Sequence, residues 1–252
     1  MKTLTFVIPV YNEEKRIGWT FQALKEGIVF LARFKADVSL KQVIFVDDGS
    51  EDQTKALIES FKFPVPVKLI SYQPNRGKGY ALKKGMLAAE TDYVLFFDAD
   101  MSTPLTELEK FLPFIRAGKP VIIGTRKDVK STVIKHQPWW RETLGKGFTL
   151  LSRLILNVPV TDFTCGFKAF SKEVAKEVFS RQKINRWGFD AEILFLANRL
   201  GFGITEKAVA WSNEPSSRVK LFKDLPLSFL ELLQIRLYQL RGDYQLKKSQ
   251  TP

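Results

Sequence analysis

The stretch that decides the fold is Tyr93-Val94-Leu95-Phe96-Phe97-Asp98-Ala99-Asp100. Five uncharged residues that favour β-structure end in two carboxylates, which is typical of a buried strand whose carboxyl end opens into a cleft. Two such carboxylates suit Mg²⁺ or Mn²⁺, because these ions take one or two protein carboxylates together with water and phosphate oxygens. The alternative is a polar turn in which Asp100 or Ser102 caps a helix that starts near Pro104.

Composition bounds the class of the protein. The 252 residues with 45% hydrophobic content are enough for one large α/β domain or two small ones. The single cysteine, Cys165, excludes an internal disulfide and fits a reducing compartment. The single histidine, His136, excludes a zinc site built on several histidines. No run approaches the roughly 20 apolar residues of a spanning helix, so we expect any membrane contact to be peripheral.

The positive charge belongs to the second half of the chain. The formal net charge is +12, yet residues 1–110 hold 15 Lys and Arg against 15 Asp and Glu. Residues 111–252 hold 24 against 12. A one-sided basic half favours a polyanionic neighbour, either nucleic acid or an anionic membrane surface.

The first half alternates predicted strands and helices, the pattern of a mainly parallel sheet with helices on both faces. Residues 17–31 read as a helix, because their apolar side chains recur at spacings of three and four. The predicted strands are 4–10, 42–47, 67–72, 93–98 and 120–125, and further helices are predicted near 51–61, 79–89 and 105–117.

Four of these strands end in polar residues, and ligands of open α/β sheets bind at the carboxyl ends of the strands. The polar ends are 9–14, 47–50, 74–79 and the acidic pair. Gly77-Lys78-Gly79 matches neither the dinucleotide fingerprint nor a P-loop. This segment is either a flexible connection or a loop that brings Arg76 and Lys78 near phosphate.

In order and spacing, these motifs resemble the family 2 glycosyltransferases with the GT-A fold. The matching segments are FVIPVYNEE at 6–14, VDDGS at 46–50, NRGKG at 75–79 and DAD at 98–100. Further matches are similar to the branch that makes polyprenyl-phosphate sugars, including dolichyl-phosphate glucose and mannose synthases. These are GTR at 124–126, TDFTCGFKAF at 161–170 and WGFDAEIL at 187–194.

The resemblance implies an inverting transfer of a hexose from a nucleotide sugar to a polyprenyl or dolichyl phosphate. It favours UDP-glucose, with GDP-mannose as the alternative donor. It also implies an α/β GT-A domain over residues 1–222, an amphipathic helix over 223–245 and a tail over 246–252. The implied location is cytoplasmic, peripheral at the cytoplasmic face of a membrane.

The resemblance further implies roles for individual residues. Those on the nucleoside side are Pro9, Tyr11 and Glu13, with Asp48 reading the base beside the Val46 backbone. Those that hold the sugar diphosphate and its Mg²⁺ or Mn²⁺ are Asp98, Ala99 and Asp100, with Lys78, Arg126 and Arg218 on phosphates. Ser102 stands where mannose-phosphate synthases often place Gln, and a side chain that short would reach the metal through water.

Two more carboxylates, Asp162 and Asp190, join Asp98, Asp100 and Arg126 as catalytic candidates. A phosphate monoester acceptor is already ionised near neutral pH, so these carboxylates would then orient groups. A sugar hydroxyl acceptor needs a base, and Asp162 or Asp190 would have to serve. For Asp190 a helix N-cap is the alternative.

Residues 139–158 carry an amphipathic basic pattern. The apolar positions at helical spacing are Leu144, Phe148, Leu151, Ile155 and Val158, preceded by two tryptophans and interspersed with Arg141, Lys146 and Arg153. Such a helix either buries its stripe in the core or lies in a bilayer interface with its cations on anionic lipid, and we favour the interface. A second segment of this kind follows Pro226, with a helix docked on the core as its alternative.

Three alternatives remain open for the whole chain. It could be a soluble family 2 transferase with a saccharide acceptor, a basic nucleic-acid-binding module, or a transferase fold without catalysis. No nucleic-acid motif accompanies the basic charge, so we expect no nucleic-acid partner. The intact acidic pair favours an enzyme.

Overall fold

A computed structural model describes residues 1–34, 37–135, 138–213 and 221–245 of the chain. The predicted phosphate ligand Arg218, His136 and the predicted tail at 246–252 lie outside the described residues. None of the described helices combines the length and the hydropathy needed to cross a bilayer.

A seven-stranded, mostly parallel sheet forms the centre, as predicted. The described strands are β1 Lys2–Val10, β2 Val38–Asp47, β3 Val67–Ser71, β4 Tyr93–Phe97, β5 Val121–Thr125, β6 Thr132–Lys135, β7 Phe167–Ser171, β8 Ile204–Ala208 and β9 Ala210–Ser212. The sheet order is β3-β2-β1-β4-β7-β5-β8, and β6 pairs with β9 separately. All neighbours in the large sheet are parallel except β7, which runs antiparallel to β4 and β5.

Helices cover both faces of the sheet. They are α1 Ile17–Leu31, α2 Thr54–Ser60, α3 Lys78–Ala88, α4 Leu112–Arg116, α5 Trp139–Leu156, α6 Lys172–Arg181, α7 Phe189–Arg199 and α8 Leu221–Leu240. One core joins α3, α6 and α7 to one face of the sheet, and a second core joins α1 and α4 to the other. The alternating burial of neighbouring strand residues divides the central strands between these two cores.

Two helices differ from the sequence prediction. The segment predicted as one helix near 105–117 is a 3-10 helix, Leu105–Phe111, followed by α4. Pro113 has no backbone N–H and is tolerated in the first turn of an α-helix, so the α-helix starts beside it. At the other end, α8 runs from Leu221 to Leu240 and contains Pro226 in its interior. It starts six residues before the predicted segment at Leu227 and two before the predicted helix at 223, and it ends five residues before the predicted end at 245.

The reversed direction of β7 shapes the carboxyl edge of the sheet. Phe97, the last residue of β4, pairs with Phe167, the first residue of β7. The chain therefore leaves the sheet after Thr125 and returns to the same edge at Phe167. Arg126 and Gly166, which flank these two strands, therefore lie at the edge where β4 and β5 end.

Candidate active site

A tight turn presents the acidic pair at the end of β4. The amide of Met101 donates to the Asp98 carbonyl oxygen at 3.1 Å, and the amide of Ser102 donates to Asp100 Oδ1 at 2.9 Å. Met101 takes a left-handed conformation, with φ of 52°. The following 3-10 helix starts after Pro104 without a side-chain cap, so the alternative in which Asp100 or Ser102 caps a helix is wrong.

Ala99, between the two carboxylates, is held by a hydrogen bond from helix α1. Its carbonyl oxygen accepts a hydrogen bond of 2.6 Å from the Thr20 hydroxyl in α1, and both residues are buried. A buried, satisfied carbonyl between the two carboxylates limits the motion of the turn. Hydrogen bonds of the turn backbone therefore fix the positions of Asp98 and Asp100.

Gly166, immediately before β7, packs against the acidic turn. It was not recognised as a site residue from the sequence. A Cβ at this position would lie 2.3 Å from Asp98 Oδ2 and 2.6 Å from Asp98 Cγ. The Asp98 carboxylate thus rests directly against the Gly166 backbone. The only signal in the sequence was a glycine immediately before Phe167-Lys168-Ala169-Phe170, and its partner Asp98 lies 68 residues earlier.

Asp98 retains an oxygen with unused hydrogen-bonding capacity. Its Oδ1 is buried and accepts no hydrogen bond from the described residues. It does lie 2.5 Å from Lys78 Nζ, so the protein meets this oxygen with a cation and not with a fixed amide or hydroxyl donor. A buried carboxylate oxygen that accepts no hydrogen bond is costly unless a cation compensates it.

The pKa of Asp100 indicates the same need for a cation. Burial raises the pKa of this carboxyl, and the neighbouring Asp98 charge raises it further, against the hydrogen bonds from Ser102. No group of three or more His, Cys, Asp and Glu side chains suited to a metal occurs within the described ranges. Two carboxylates nonetheless fit Mg²⁺ or Mn²⁺, because these ions also bind the phosphates of a substrate.

Lys78 stands at the start of α3, in contact with Asp98. Its Nζ lies 5.8 Å from the ring centroids of both Trp187 and Phe189. Burial would lower the pKa of Lys78, but the charges of Asp98 and then Asp190 outweigh it and the pKa is raised. Lys78 is therefore a permanent cation beside the carboxylates.

Asp190 is not the N-cap of α7. The N-cap is Gly188, and Asp190 is the second residue of the helix, in its first turn, paired with the fully buried ammonium of Lys168. Lys168 Nζ also donates to the Cys165 carbonyl oxygen at 2.6 Å. Burial raises the pKa of Asp190, although the charges of Lys168 and Lys78 oppose this rise. The N-cap alternative is wrong, and the carboxylate is held by a cation of the sheet.

Asp162 forms a closed ion pair with Arg126. Arg126 Nε and Nη2 each donate to one Asp162 oxygen at 2.8 Å, and the Arg126 amide donates at 3.1 Å. The side chain of Asp162 is fully buried. Burial alone would raise the pKa of this carboxyl, but the Arg126 guanidinium outweighs it and holds the pKa well below the usual range. Arg126 also lies over the Trp211 ring at 5.3 Å.

Asp48 is enclosed by the loop that follows β3. It accepts hydrogen bonds of 2.8 to 2.9 Å from the Tyr72 hydroxyl, the Asn75 amide side chain and the backbone amides of Arg76 and Gly77. This carboxylate thereby orders the loop that leads to Lys78. That Asp48 reads a nucleotide base beside the Val46 backbone stays a prediction. The Val46 side chain itself is fully buried in the sheet.

The other nucleoside-side candidates lie at the end of β1 and just after it. Pro9 and Tyr11 are half-buried, and Glu13 is buried, with its carboxylate accepting from Arg16 Nη2 at 2.7 Å and its amide donating to the Thr54 hydroxyl. The structure thus gathers these residues, the Asp48 loop, Lys78 and the acidic pair along one edge. Arg126, Asp162 and Asp190 approach the same edge from the second half.

The comparisons with known proteins agree on one family. Residues 5–179 match the model described as Glycosyl transferase family 2. The chain is 31% identical to dolichyl-phosphate beta-glucosyltransferase of Dictyostelium discoideum, covering 97% of this chain and 77% of that protein. It is 32% identical to the Homo sapiens protein of the same name, covering 98% of this chain and 79% of that protein.

Two solved structures share the fold. Glucosyl-3-phosphoglycerate synthase of Mycobacterium tuberculosis, in complex with Mn²⁺, UDP and glucosyl-3-phosphoglycerate, superposes with a TM-score of 0.63 at 19% identity, covering 98% of this chain and 82% of that one. Mannosyl-3-phosphoglycerate synthase of Rubrobacter xylanophilus superposes with a TM-score of 0.67 at 18% identity, covering 100% and 79%.

Proposed function

The chain belongs to glycosyl transferase family 2, and we propose that it transfers glucose from UDP-glucose to dolichyl or another polyprenyl phosphate with inversion. The observation that carries this proposal is the carboxylate pair at the end of β4, with its buried Asp98 oxygen that accepts no hydrogen bond from described residues. The names of the curated relatives support the glucosyl donor and the lipid acceptor.

The donor diphosphate would lie against the acidic turn. Asp98 and Asp100 would hold Mg²⁺ or Mn²⁺, and Ser102 would act through the amide that orients Asp100. When bound, the ion supplies positive charge against the negative charge that develops on the leaving nucleoside diphosphate. The Lys78 ammonium would add to that stabilisation, and the residues after β1 and β2 would receive the nucleoside.

The acceptor site would lie beside Arg126. Both candidate bases are engaged by cations, Asp162 by Arg126 and Asp190 by Lys168. Carboxylates held in this way are suited to positioning, and a phosphate monoester needs no base because it is ionised near neutral pH. This favours a phosphate acceptor over a sugar hydroxyl. Attack by the phosphate oxygen from the side opposite the leaving diphosphate would invert the anomeric carbon.

We place the membrane contact on α5 and α8, which pack against each other. Four leucines of α5 and five of α8 are more than a third exposed: Leu144, Leu150, Leu151, Leu154, Leu227, Leu230, Leu233, Leu237 and Leu240. We call these nine residues the leucine face. It differs from the predicted stripe of α5, since Phe148 and Ile155 turn toward the core and Leu144 and Leu151 stay outside.

The charges around the leucine face fit an anionic bilayer. Lys146 and Arg153 of α5 and Arg236 of α8 are exposed beside it. An apolar helix face flanked by cations binds at the boundary between headgroups and acyl chains. We therefore propose a catalytic domain over residues 1–222, a docking helix over 223–245 and a location at the cytoplasmic face of a membrane.

Label transfer tests the proposed reaction. Purified protein, Mn²⁺ and either radiolabelled UDP-glucose or GDP-mannose are incubated with polyprenyl phosphate in vesicles or with oligosaccharides. We expect label from UDP-glucose in the organic extract. Label confined to the aqueous oligosaccharide would contradict the lipid acceptor, and label from GDP-mannose alone would contradict the donor.

Vesicle flotation tests the docking face. The variant Leu233→Asp/Leu237→Asp should reduce flotation with anionic vesicles about tenfold or more, because each aspartate places a negative charge where an exposed leucine would enter the bilayer. Leu57→Asp, at an exposed leucine of α2 far along the sheet, is the matched control and should float normally. Equal flotation of both variants would place the membrane contact elsewhere.

A further inference from the structure

Lys78 and a divalent ion would need the same oxygen. Lys78 Nζ lies 2.5 Å from Asp98 Oδ1, the buried atom that accepts no hydrogen bond from the described residues. A divalent ion bonded to Oδ1 at about 2.0 to 2.2 Å would lie within a few ångströms of the ammonium on the same oxygen, and two positive charges this close repel each other. Binding of one cation therefore displaces the other.

The surroundings of Lys78 make this ammonium a well-held cation. Asp98, Asp190 and Asp100 all act on its charge, and the rings of Trp187 and Phe189 flank it. Removing it from Oδ1 without a substitute anion would forfeit these contacts. The diphosphate of a donor is such an anion, since lysine binds phosphate as a point charge.

We propose that Lys78 is a built-in competitor of the divalent ion, which yields Asp98 to the metal when the nucleoside diphosphate arrives to accept its ammonium. Metal and nucleotide then bind with strong positive coupling, and metal alone binds weakly. The proposal rests on the proposed metal site at Asp98 and Asp100. It adds an order of binding that the acidic pair alone does not imply.

The position of Lys78 in the fold supports this exchange. Lys78 is the first residue of α3, preceded by Gly77 with φ of 105°. A Cβ at Gly77 would lie 2.4 Å from the Asn185 carbonyl oxygen, so the loop is packed tightly at this point. The backbone is thereby fixed, and the exchange requires only movement of the long, flexible lysine side chain.

The test is direct measurement of Mn²⁺ binding, by calorimetry and by electron paramagnetic resonance, without nucleotide and with UDP. We expect Lys78→Gln to bind Mn²⁺ alone about tenfold or more tightly than the unaltered protein, because a like charge beside the ligand is gone. UDP binding in the presence of Mn²⁺ should weaken. Lys78→Arg keeps the cation and should keep metal binding weak.

Controls separate the exchange from the metal site itself. Lys84→Gln removes an exposed cation of the same helix and should leave Mn²⁺ affinity unchanged. Asp100→Asn should abolish Mn²⁺ binding in every background. Tighter binding by Lys78→Gln alone supports the exchange, and folding of each variant is verified by circular dichroism and by its melting temperature.

Two results overturn the proposal. Mn²⁺ affinity of Lys78→Gln that equals or falls below that of the unaltered protein, while Asp100→Asn abolishes binding, overturns the exchange and retains the metal site. Absence of Mn²⁺ binding to all variants, with and without UDP, overturns both. If Lys78→Gln does not fold, Lys78→Met is measured against the same expectations.

Discussion

Asp98 and Asp162 are two aspartates at one edge of the sheet with opposite environments. Asp162 is fully buried and takes three hydrogen bonds from Arg126, which hold its pKa low. Asp98 is about one third exposed, and one of its oxygens has an ion-pair contact but no hydrogen bond within the described chain. A carboxylate that is saturated by protein donors stabilises the fold. One with an oxygen held only by a flexible lysine side chain is a candidate ligand site.

The largest expected effect is at the acidic pair, the less saturated of the two sites compared. Asp100→Asn should lower transferase activity about 10³-fold, because the positive charge against the leaving diphosphate is lost. The free energy of unfolding should change by less than about 1 kcal/mol, since burial and Asp98 already oppose ionisation of Asp100. Steady-state kinetics and urea unfolding measure the two quantities. Glu109→Gln, at an exposed carboxylate nearby, should change neither.

For Asp162, which Arg126 saturates, we expect a large loss of stability. Asp162→Asn should lower the free energy of unfolding by about 3 kcal/mol, because the partly buried Arg126 guanidinium loses its counter-charge. Urea unfolding provides the measurement. Arg126→Gln in the same chain should restore part of the loss, as a double-mutant cycle for a coupled pair requires. Unchanged stability with lost activity would instead assign Asp162 to the chemistry.

Glu192 sharpens the comparison, because it is saturated without a cation. It is fully buried and accepts from the Lys183 and Ile184 amides and the Tyr244 hydroxyl. Burial raises the pKa of Glu192 to about 7, against the hydrogen bonds. The folded carboxyl keeps its proton between pH 4.5 and 7 while the unfolded one loses it. Its contribution to stability therefore declines through this interval, by at most about 3 kcal/mol.

Urea unfolding at pH 5 and pH 8 measures this decline. Glu192→Gln does not titrate, so its stability should fall less between the two pH values than that of the unaltered protein. Glu173→Gln, at an exposed carboxylate of α6, should retain the original difference. Parallel pH profiles for all three proteins would show that Glu192 ionises normally.

The smallest expected effect concerns placement rather than charge. Gly166→Ala adds a methyl group 2.3 Å from Asp98 Oδ2, so the carboxylate must move. A displacement of this size should lower activity about 10²-fold, with Asp98 itself intact. Gly18→Ala in α1, where an added Cβ meets nothing within 4 Å, is the matched control. Full activity of Gly166→Ala would mean that the position of Asp98 is not critical.

The sequence predicted the first half of the sheet well and the second half poorly. Strands β1 to β5 are rich in apolar residues and are followed by polar ones, and the predicted segments overlap all five. β7 escaped prediction because Lys168 interrupts its apolar run, and this lysine is buried against Asp190. In a sequence, a lysine indicates a solvent-exposed position. Only the fold shows that Lys168 is paired with Asp190, 22 residues later. β8 is half-buried throughout and carries too little apolar character to stand out.

The site divides in the same way. The acidic pair was recognisable because two charges follow an apolar run. Gly166 was not, since its contact with Asp98 depends on the antiparallel pairing of β4 with β7. The engagement of Asp48 by four donors was equally hidden, because three of these groups lie on a loop whose backbone direction only the fold determines.

The pairing of β5 with β7 has a consequence for how such enzymes diversify. These neighbouring antiparallel strands form a hairpin, and residues 126–166 are its elaborated tip, with Arg126, Asp162 and α5 in one continuous segment. A tip can be lengthened at little entropic cost, about 0.6 kcal/mol for each doubling. A descendant could thus exchange this segment while the order and direction of the sheet strands stay unchanged.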